Sequence, residues 1–359
     1  MPEFNFKTTP YDHQREAFDA SCDTENYALL MDMGTGKTKV CIDTIGYNYE
    51  SGKINLAVIV APKGVIANWI GEISTHLPDR IDREVVLWKP SLTKAKRKEL
   101  TDLSQPAGKL KFLLMNIEAF STKKGVDVAE FFVKKFKTCM VVDESTTIKN
   151  RRAKRTQAVC DVGRGAVTKR ILTGSPVTKS PMDLYSQMDF LSPEILGFRS
   201  YYAFQGRYAV VQRRSMGAHS FNQILGFRRL DELTEKLQNF SYRVRKEECL
   251  DLPEKVYVRR SVELTKEQSD AYTQMKHLAL ARLESGELAT TQNVLTQIMR
   301  LQQICLGHLT DDEGETHPVK SNRLGELLTI ADEIQGKAII WATWSRDIRA
   351  IAEALRDRF

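Results

Sequence analysis

Short apolar runs punctuate the first half of the chain, each ended by a turn-forming or polar residue. They are "YALLM" from residue 27, "LAVIVA" from 56, "KFLLM" from 111, "MVVD" from 140 and "RIL" from 170. An unbroken apolar run bounded by turn residues is the pattern of a strand buried on both faces, not of a strand with one wet side. Between the runs lie stretches with helical spacing, among them "GVIANWIGEIS" after Pro62, residues 127–136, and "SPMDLYSQMDFL" after a polar turn. Strands alternating with helices in this way predict an α/β fold: a doubly wound parallel sheet with helices on both faces. Ligands in such folds bind at the carboxyl ends of the strands.

The second half reads differently. Residues 191 to about 246 exceed what a connection between sheet strands needs, which predicts a helical protrusion with a hairpin. "RYAVVQRR" and "FNQILGFRR" alternate as two short strands around the glycine-containing "SMGAHS". From 265 to 308 apolar residues recur at helical spacing, as packing faces do, and "DDEGETHP" reads as an exposed acidic turn. The segments expected are 1–190, 191–249 and 250–359, the last boundary, near 250–258, resting on "LDLPEK" and on the family resemblance given below.

Two of the strand ends carry chemistry. "YALLMDMGTGKT" runs from a strand into a glycine-rich turn, then lysine and threonine. Gly34 and Gly36 allow the backbone to turn its N–H groups toward an anion, and a helix starting near Lys37 adds the positive end of its dipole. Met33 to Thr38 then form a phosphate loop, with Thr35 inside it, Lys37 reaching the outer phosphates and the Thr38 hydroxyl holding magnesium. Met31 stands where the usual pattern has its first glycine. Downstream, "TCMVVDESTTIKN" delivers Asp143 and Glu144 to the end of another strand. One carboxylate is needed to hold the metal and a second to orient and deprotonate water, so Asp143 is assigned to magnesium and Glu144 to water. Together the motifs predict a nucleoside triphosphatase using ATP and magnesium. Upstream, the Gln14 amide is placed to select adenine and Tyr11 to stack on the base.

Composition narrows the class without changing it. A 42% hydrophobic and 28% charged chain of 359 residues is long enough for more than one core. No run approaches the roughly 20 apolar residues of a membrane span. The start "MPEFNF" carries no secretory pattern, and the six scattered cysteines lack any C-x-x-C pair, which predicts reduced thiols in a cytosolic setting, neither disulfides nor zinc. Cys305, His308 and His317 lack a fourth partner for a metal. The net charge of +7 favours a polyanionic partner. Its most informative cluster is "KNRRAKR" at 149–155, which sets five basic residues directly after the carboxylates, whereas "KAKRK" at 94–98 reads as a solvated helix face.

These motifs, taken in order, resemble those of the Swi/Snf-like ATPases of helicase superfamily two. "MGTGKT", "APKGVIANWIGEI", "NIEAF", "DESTTIKN" and "LTGSPVTKSPMDLY" are similar to that family's successive motifs. "RVRKEECLDLPEKVYVRRSVELTKEQSDAY" resembles its bridge between lobes, and "GKAIIWATWS" the beginning of its second lobe. The resemblance implies a RecA-like lobe followed by an incomplete second RecA-like lobe. It further implies an ATP-driven motor on double-stranded DNA, with contacts to the sugar-phosphate backbone that carry no sequence information. Thr173 and Ser175 would couple the nucleotide site to DNA, with Lys63, Asn116, Lys149 and Arg151 as backbone contacts. Two departures stand out. Ser145 and Thr146 replace the family's alanine or glycine and histidine, and the second-lobe arginine motifs are not recognised, so ATP binding with poor hydrolysis is expected of these residues alone. A strand-separating helicase on DNA or RNA, an ATP-switched binding module and a metabolic kinase are the alternatives. The small insertions fit a bacterial or phage-encoded setting, and a nuclear one if the source is eukaryotic.

Overall fold

Consecutive apolar residues remain as a strand only where both faces of the sheet are covered, and here they are. The computed structural model describes residues 4–91, 93–106, 108–216, 219–251, 253–284, 291–311, 313–356 and 358. It divides into two units, Met1–Pro253 and Glu254–Phe359.

The first unit opens with α1 (Asp12–Ser21), β1 (Asn26–Met31), α2 (Lys37–Glu50), β2 (Leu56–Ala61), α3 (Asn68–His76) and β3 (Arg83–Leu87). It continues through α4 (Lys94–Leu103), β4 (Leu110–Asn116), α5 (Lys123–Lys135), β5 (Thr138–Asp143), α6 (Lys154–Gly163), β6 (Thr168–Leu172) and α7 (Leu184–Leu191). The chain then leaves the sheet as α8 (Tyr201–Tyr208), β7 (Ala209–Met216), β8 (His219–Phe227) and α9 (Leu230–Gln238). It returns as β9 (Ser241–Val244) and ends in α10 (Lys246–Cys249). Seven strands form one sheet in the order β3-β4-β2-β5-β6-β1-β9, and every pairing in it is parallel.

Burial follows the pleat. Ala28 and Leu30 of β1 face a core built with Phe132, Val159, Met188 and Phe204, while Tyr27, Leu29 and Met31 face the opposite core with Phe18, Ile42, Trp69 and Ile73. Because successive side chains alternate faces, a strand between two cores must be apolar at every position. That is why β2 and β5 are buried throughout. The RecA-like doubly wound sheet predicted above is thus present. The segment 191–249 divides: α8, the β7–β8 hairpin and α9 protrude, while β9 closes the sheet beside β1. The turn at residues 217–218 lies outside the described residues.

The basic run "KAKRK" falls on α4, where Lys96 pairs with Glu99. Cys22 at the end of α1, Cys41 in α2, Cys139 in β5 and Cys160 in α6 are buried thiols, and burial pushes Cys160 up to about 12.

The second unit holds α11 (Lys266–Glu284), α12 (Thr291–Leu306), β10 (His308–Thr310), β11 (Thr316–Pro318), α13 (Arg323–Glu333) and α14 (Ser345–Leu355). The acidic turn "DDEGETHP" is the loop of the β10–β11 hairpin, with Asp311 held by the Glu313 and Glu315 N–H groups and by His317. Residues 337–342, expected to open a second sheet, form no strand, and Ile339 and Trp341 are 81% and 88% exposed.

Candidate nucleotide site

The sheet order places the motifs side by side. β5, β6 and β1 are neighbours, and their carboxyl ends carry Asp143–Glu144, Thr173 and the loop 32–36. Along the same edge β2 leads to Lys63, β4 ends at Asn116, and β9 leads to Lys246.

The loop takes the shape its glycines allow. Gly34 and Gly36 have φ of +85° and +89°, values that side chains rarely adopt, and Gly36 is the left-handed residue from which α2 starts at Lys37. The unpaired N–H groups of the first turn of α2 and its dipole therefore face the end of the loop. A Cβ on Gly36 would stand 2.2 Å from Gln14 Nε2, so any side chain there would also displace the Gln14 amide. Thr35 is buried and its hydroxyl donates to Asp32 O, Met33 is 74% exposed on the loop, and Thr38 lies half-buried in the first turn. Met31, in the place of the usual first glycine, is fully buried in the core at the end of β1.

Lys37 Nζ lies 3.8 Å from Glu144 Oε1 across the strand ends, with the lysine largely buried and the glutamate one-third exposed. Glu144 adopts φ 49°, ψ 61°, a left-handed conformation that costs a non-glycine residue of order 1–3 kcal/mol. Thr173 Oγ1 donates to Glu144 Oε2 at 3.5 Å and accepts the Ser175 N–H at 3.2 Å. Asp143 is 3% exposed: Oδ1 accepts the Glu144 N–H and Oδ2 accepts the Trp69 indole N–H at 3.0 Å. Burial pushes the Asp143 carboxyl above the ordinary carboxylate range, against the Trp69 N–H, the Lys37 charge and the Glu144 N–H.

The departure at Ser145 is resolved by a partner that sequence reasoning missed. Ser145 Oγ donates to Gln187 Oε1 at 2.6 Å, and Gln187 Nε2 donates to Pro176 O and Asp183 O. A hydroxyl and an amide thereby join the carboxylate turn to the "LTGSP" turn. The Trp69 indole was also missed as a ligand-orienting group, because 74 residues separate it from Asp143. So was Lys246, whose N–H donates to Asp32 Oδ2 and whose ammonium lies 3.7 Å from where a Cβ on Gly34 would stand.

The remaining sequence-derived residues divide. Gln14 is buried with both amide atoms on the protein: Nε2 donates to Thr35 O, and Oε1 accepts the Tyr11 N–H. Tyr11 is 65% exposed and stacks on His13. Lys63 is exposed, and Asn116 donates to Glu118. Lys149 donates to Thr178 Oγ1, and the Arg151 guanidinium lies 4.2 Å over the Tyr201 ring. Near residues 305–317, His308 pairs with Asp347 and His317 with Asp311. Among the described residues no group of three or more His, Cys, Asp or Glu side chains gathers as a metal site. No helix among them is long and apolar enough to cross a membrane.

A doubly wound parallel sheet bearing a glycine-turned loop, a lysine and an Asp–Glu pair at adjacent strand ends defines a RecA-like, P-loop type of nucleotide-binding lobe. The chain belongs to the SNF2-related domain family, which matches residues 13–308. Among its curated relatives, an uncharacterized ATP-dependent helicase of Mycoplasma genitalium is 26% identical over 333 residues, spanning 92% of this chain and 29% of the relative. A TATA-binding protein-associated factor of Saccharomyces cerevisiae is 26% identical over 299 residues, 77% of this chain and 15% of that protein. The solved SWI2/SNF2 ATPase core of Sulfolobus solfataricus in complex with double-stranded DNA aligns with a TM-score of 0.53 at 21% identity, covering 99% of this chain and 72% of that one. The chain therefore spans less than a third of the length of these curated relatives.

Proposed function

We propose that this chain carries the ATP-hydrolysing lobe of a double-stranded DNA translocase that couples phosphate release to movement along the duplex. The observation that carries the reading is the convergence of Lys37, Glu144 and Thr173 at the ends of three adjacent strands, in a member of the SNF2-related family. The residues fit a magnesium-bound triphosphate: the positive-φ glycines leave backbone N–H groups for the phosphates, and the buried Asp143 carboxylate lies within the field of the Lys37 charge at the same end of the sheet. Thr38 and Asp143 would hold the ion, which neutralises phosphate charge when bound.

Lys37 leaves Glu144 for the outer phosphate oxygens. Glu144 then orients a water, takes its proton as the water oxygen bonds to the terminal phosphorus, and the bond to the leaving nucleoside diphosphate breaks. Thr173, bonded to Glu144, and the Ser145–Gln187 pair would relay the state of the site to the "LTGSP" turn, and Lys63, Asn116, Lys149 and Arg151 would meet phosphates of the duplex. In the same reading, these 359 residues alone turn ATP over slowly, since the arginine motifs of a second lobe were not recognised within 254–359.

Calorimetric titration with magnesium and ATP, paired with phosphate release in the presence of duplex DNA, tests this. Heat of binding should be seen for the parent chain and vanish in Lys37→Ala. Glu144→Gln should keep binding and lose hydrolysis about 100-fold or more. Absence of binding heat in the parent chain refutes the nucleotide site. Efficient strand displacement would move the assignment to a helicase, and biological activity surviving Glu144→Gln would move it to an ATP switch.

A further inference from the structure

From Ile195 to Leu230 the chain contains six arginines, no lysine, and no aspartate or glutamate. In a protein with 46 acidic residues in 359, so long a stretch without one singles out α8 and the hairpin as the cationic part of the protrusion, before the acidic α9. Its centre is the β7–β8 ribbon, whose two strands form a sheet of their own.

An isolated two-stranded ribbon is marginal in water, so it needs an anchor. The anchor is at its base: Ala209 is buried with Phe204, Tyr208 and Leu233, Ile224 packs against the same core, and Arg228 donates to Gly206 O. Arg207 is tied to Glu232 and belongs to that base. Gln212 opposes Gln223 and Arg213 opposes Asn222, and these four, with Arg214, are all exposed. Since successive residues alternate faces, one face carries Gln212, Gln223 and Arg214, the other Arg213 and Asn222.

These are the side chains that donate to phosphate oxygens and to base edges, and a two-stranded ribbon is one of the two shapes that fit a major groove of about 12 Å. The helix that leads into the ribbon is also in contact with the loop after the carboxylates. Arg151, eight positions after Asp143, lies over Tyr201 at 4.2 Å and Tyr202 at 5.2 Å, on the helix α8 that runs directly into β7.

We propose that the β7–β8 ribbon is a second grip on duplex DNA: it enters a groove, and Arg213 and Arg214 meet the backbone phosphates. The proposal rests on the reading of duplex DNA as the partner. It adds a contact outside the carboxyl edge of the sheet, continuous through Arg151 with the loop behind the carboxylates.

The test uses the full chain, a fluorescent duplex and a salt series. Arg213→Gln/Arg214→Gln removes two exposed charges without touching the anchor, and a second variant replaces residues 211–225 by a short Asn-Gly turn. The double substitution should weaken DNA binding and flatten the plot of log affinity against log salt by about 1.8, two contacts at about 0.9 each. Between about 50 and 200 mM salt this is a loss of affinity roughly 12-fold smaller than the parent's. Magnesium-ATP binding heat should be unchanged in both variants.

Parent-like affinity and slope in both variants overturns the proposal, leaving the arginines as guards against edge-to-edge strand pairing. An equal loss from neutralising Arg97 and Lys134, remote on α4 and α5, would also overturn it, since net charge alone would then explain the effect. Strand displacement by the parent that disappears with the ribbon would replace groove binding by a separating wedge. No DNA binding by the parent at any salt is a different outcome, because that failure falls on the proposed function itself.

Discussion

Asp143 and Glu144 are adjacent in sequence and opposite in circumstance. Glu144 is turned outward by a left-handed backbone toward Lys37, whereas Asp143 is buried and held by Trp69. A single neutral indole donor holds one carboxylate oxygen, so in the proposed function Trp69 would position Asp143 for the metal. Trp69→Phe keeps the ring packing and removes the N–H, which should cost about 1–3 kcal/mol of stability by leaving a buried acceptor short of a partner. It should also raise the magnesium concentration needed for half-saturation, while ATP binding measured without magnesium is unaltered. An unchanged magnesium requirement would leave Trp69 as a core residue only. The glycine turn, the lysine and the carboxylate pair were legible in the sequence because their chemistry needs those residues contiguously. Trp69, Gln187 and Lys246 were not, because only folding brings them to the strand ends.

At the scale of elements, the strands that read clearly were those buried on both sides. β9 was missed because it is four residues long, half-exposed, and lies inside a segment read as protrusion; its partner β1 defines it, not its own pattern. Helix α2 hides a second feature that periodicity does not reveal, the buried pair Lys39–Asp43 at 2.6 Å, one turn apart. Burial pushes Asp43 up to about 6, outweighing the pull of Lys39. The folded value lies above the unfolded value of about 3.9, so the folded chain keeps a proton that the unfolded chain releases between them. The stabilisation is complete below about pH 4 and is lost as pH rises through about 6. Replacing both residues with apolar ones, Lys39→Met/Asp43→Leu, should leave stability at neutral pH equal or higher. The difference between variant and parent, measured by urea unfolding at a series of pH values, should grow from about pH 4 to 7. A constant difference would mean that Asp43 does not titrate in this range in the folded chain.

The whole molecule divides where the sheet and both cores are complete. Every buried residue of the two main clusters lies within Met1–Pro253. A chain of those residues alone should therefore unfold in one cooperative transition and still give binding heat with magnesium and ATP; a non-cooperative melt would show that the second unit completes the first. The second unit was the less legible in sequence. Its expected sheet has no strand at 337–342, where Ile339 and Trp341 face solvent, because an apolar run becomes a strand only when neighbours supply hydrogen bonds on its flanks.

β1 lies between β6 and β9, and its last residue, Met31, pairs with Val244. The strand that leads into the glycine turn is thus synthesised well before its partner, and its outer flank is completed roughly 200 residues later. At ~5–20 residues per second, that leaves a raw edge open for on the order of 10–40 seconds of synthesis. During that interval the nascent chain offers a template for wrong strand partners, and chaperone dependence in the cell should track the speed at which the ribosome reaches Val244.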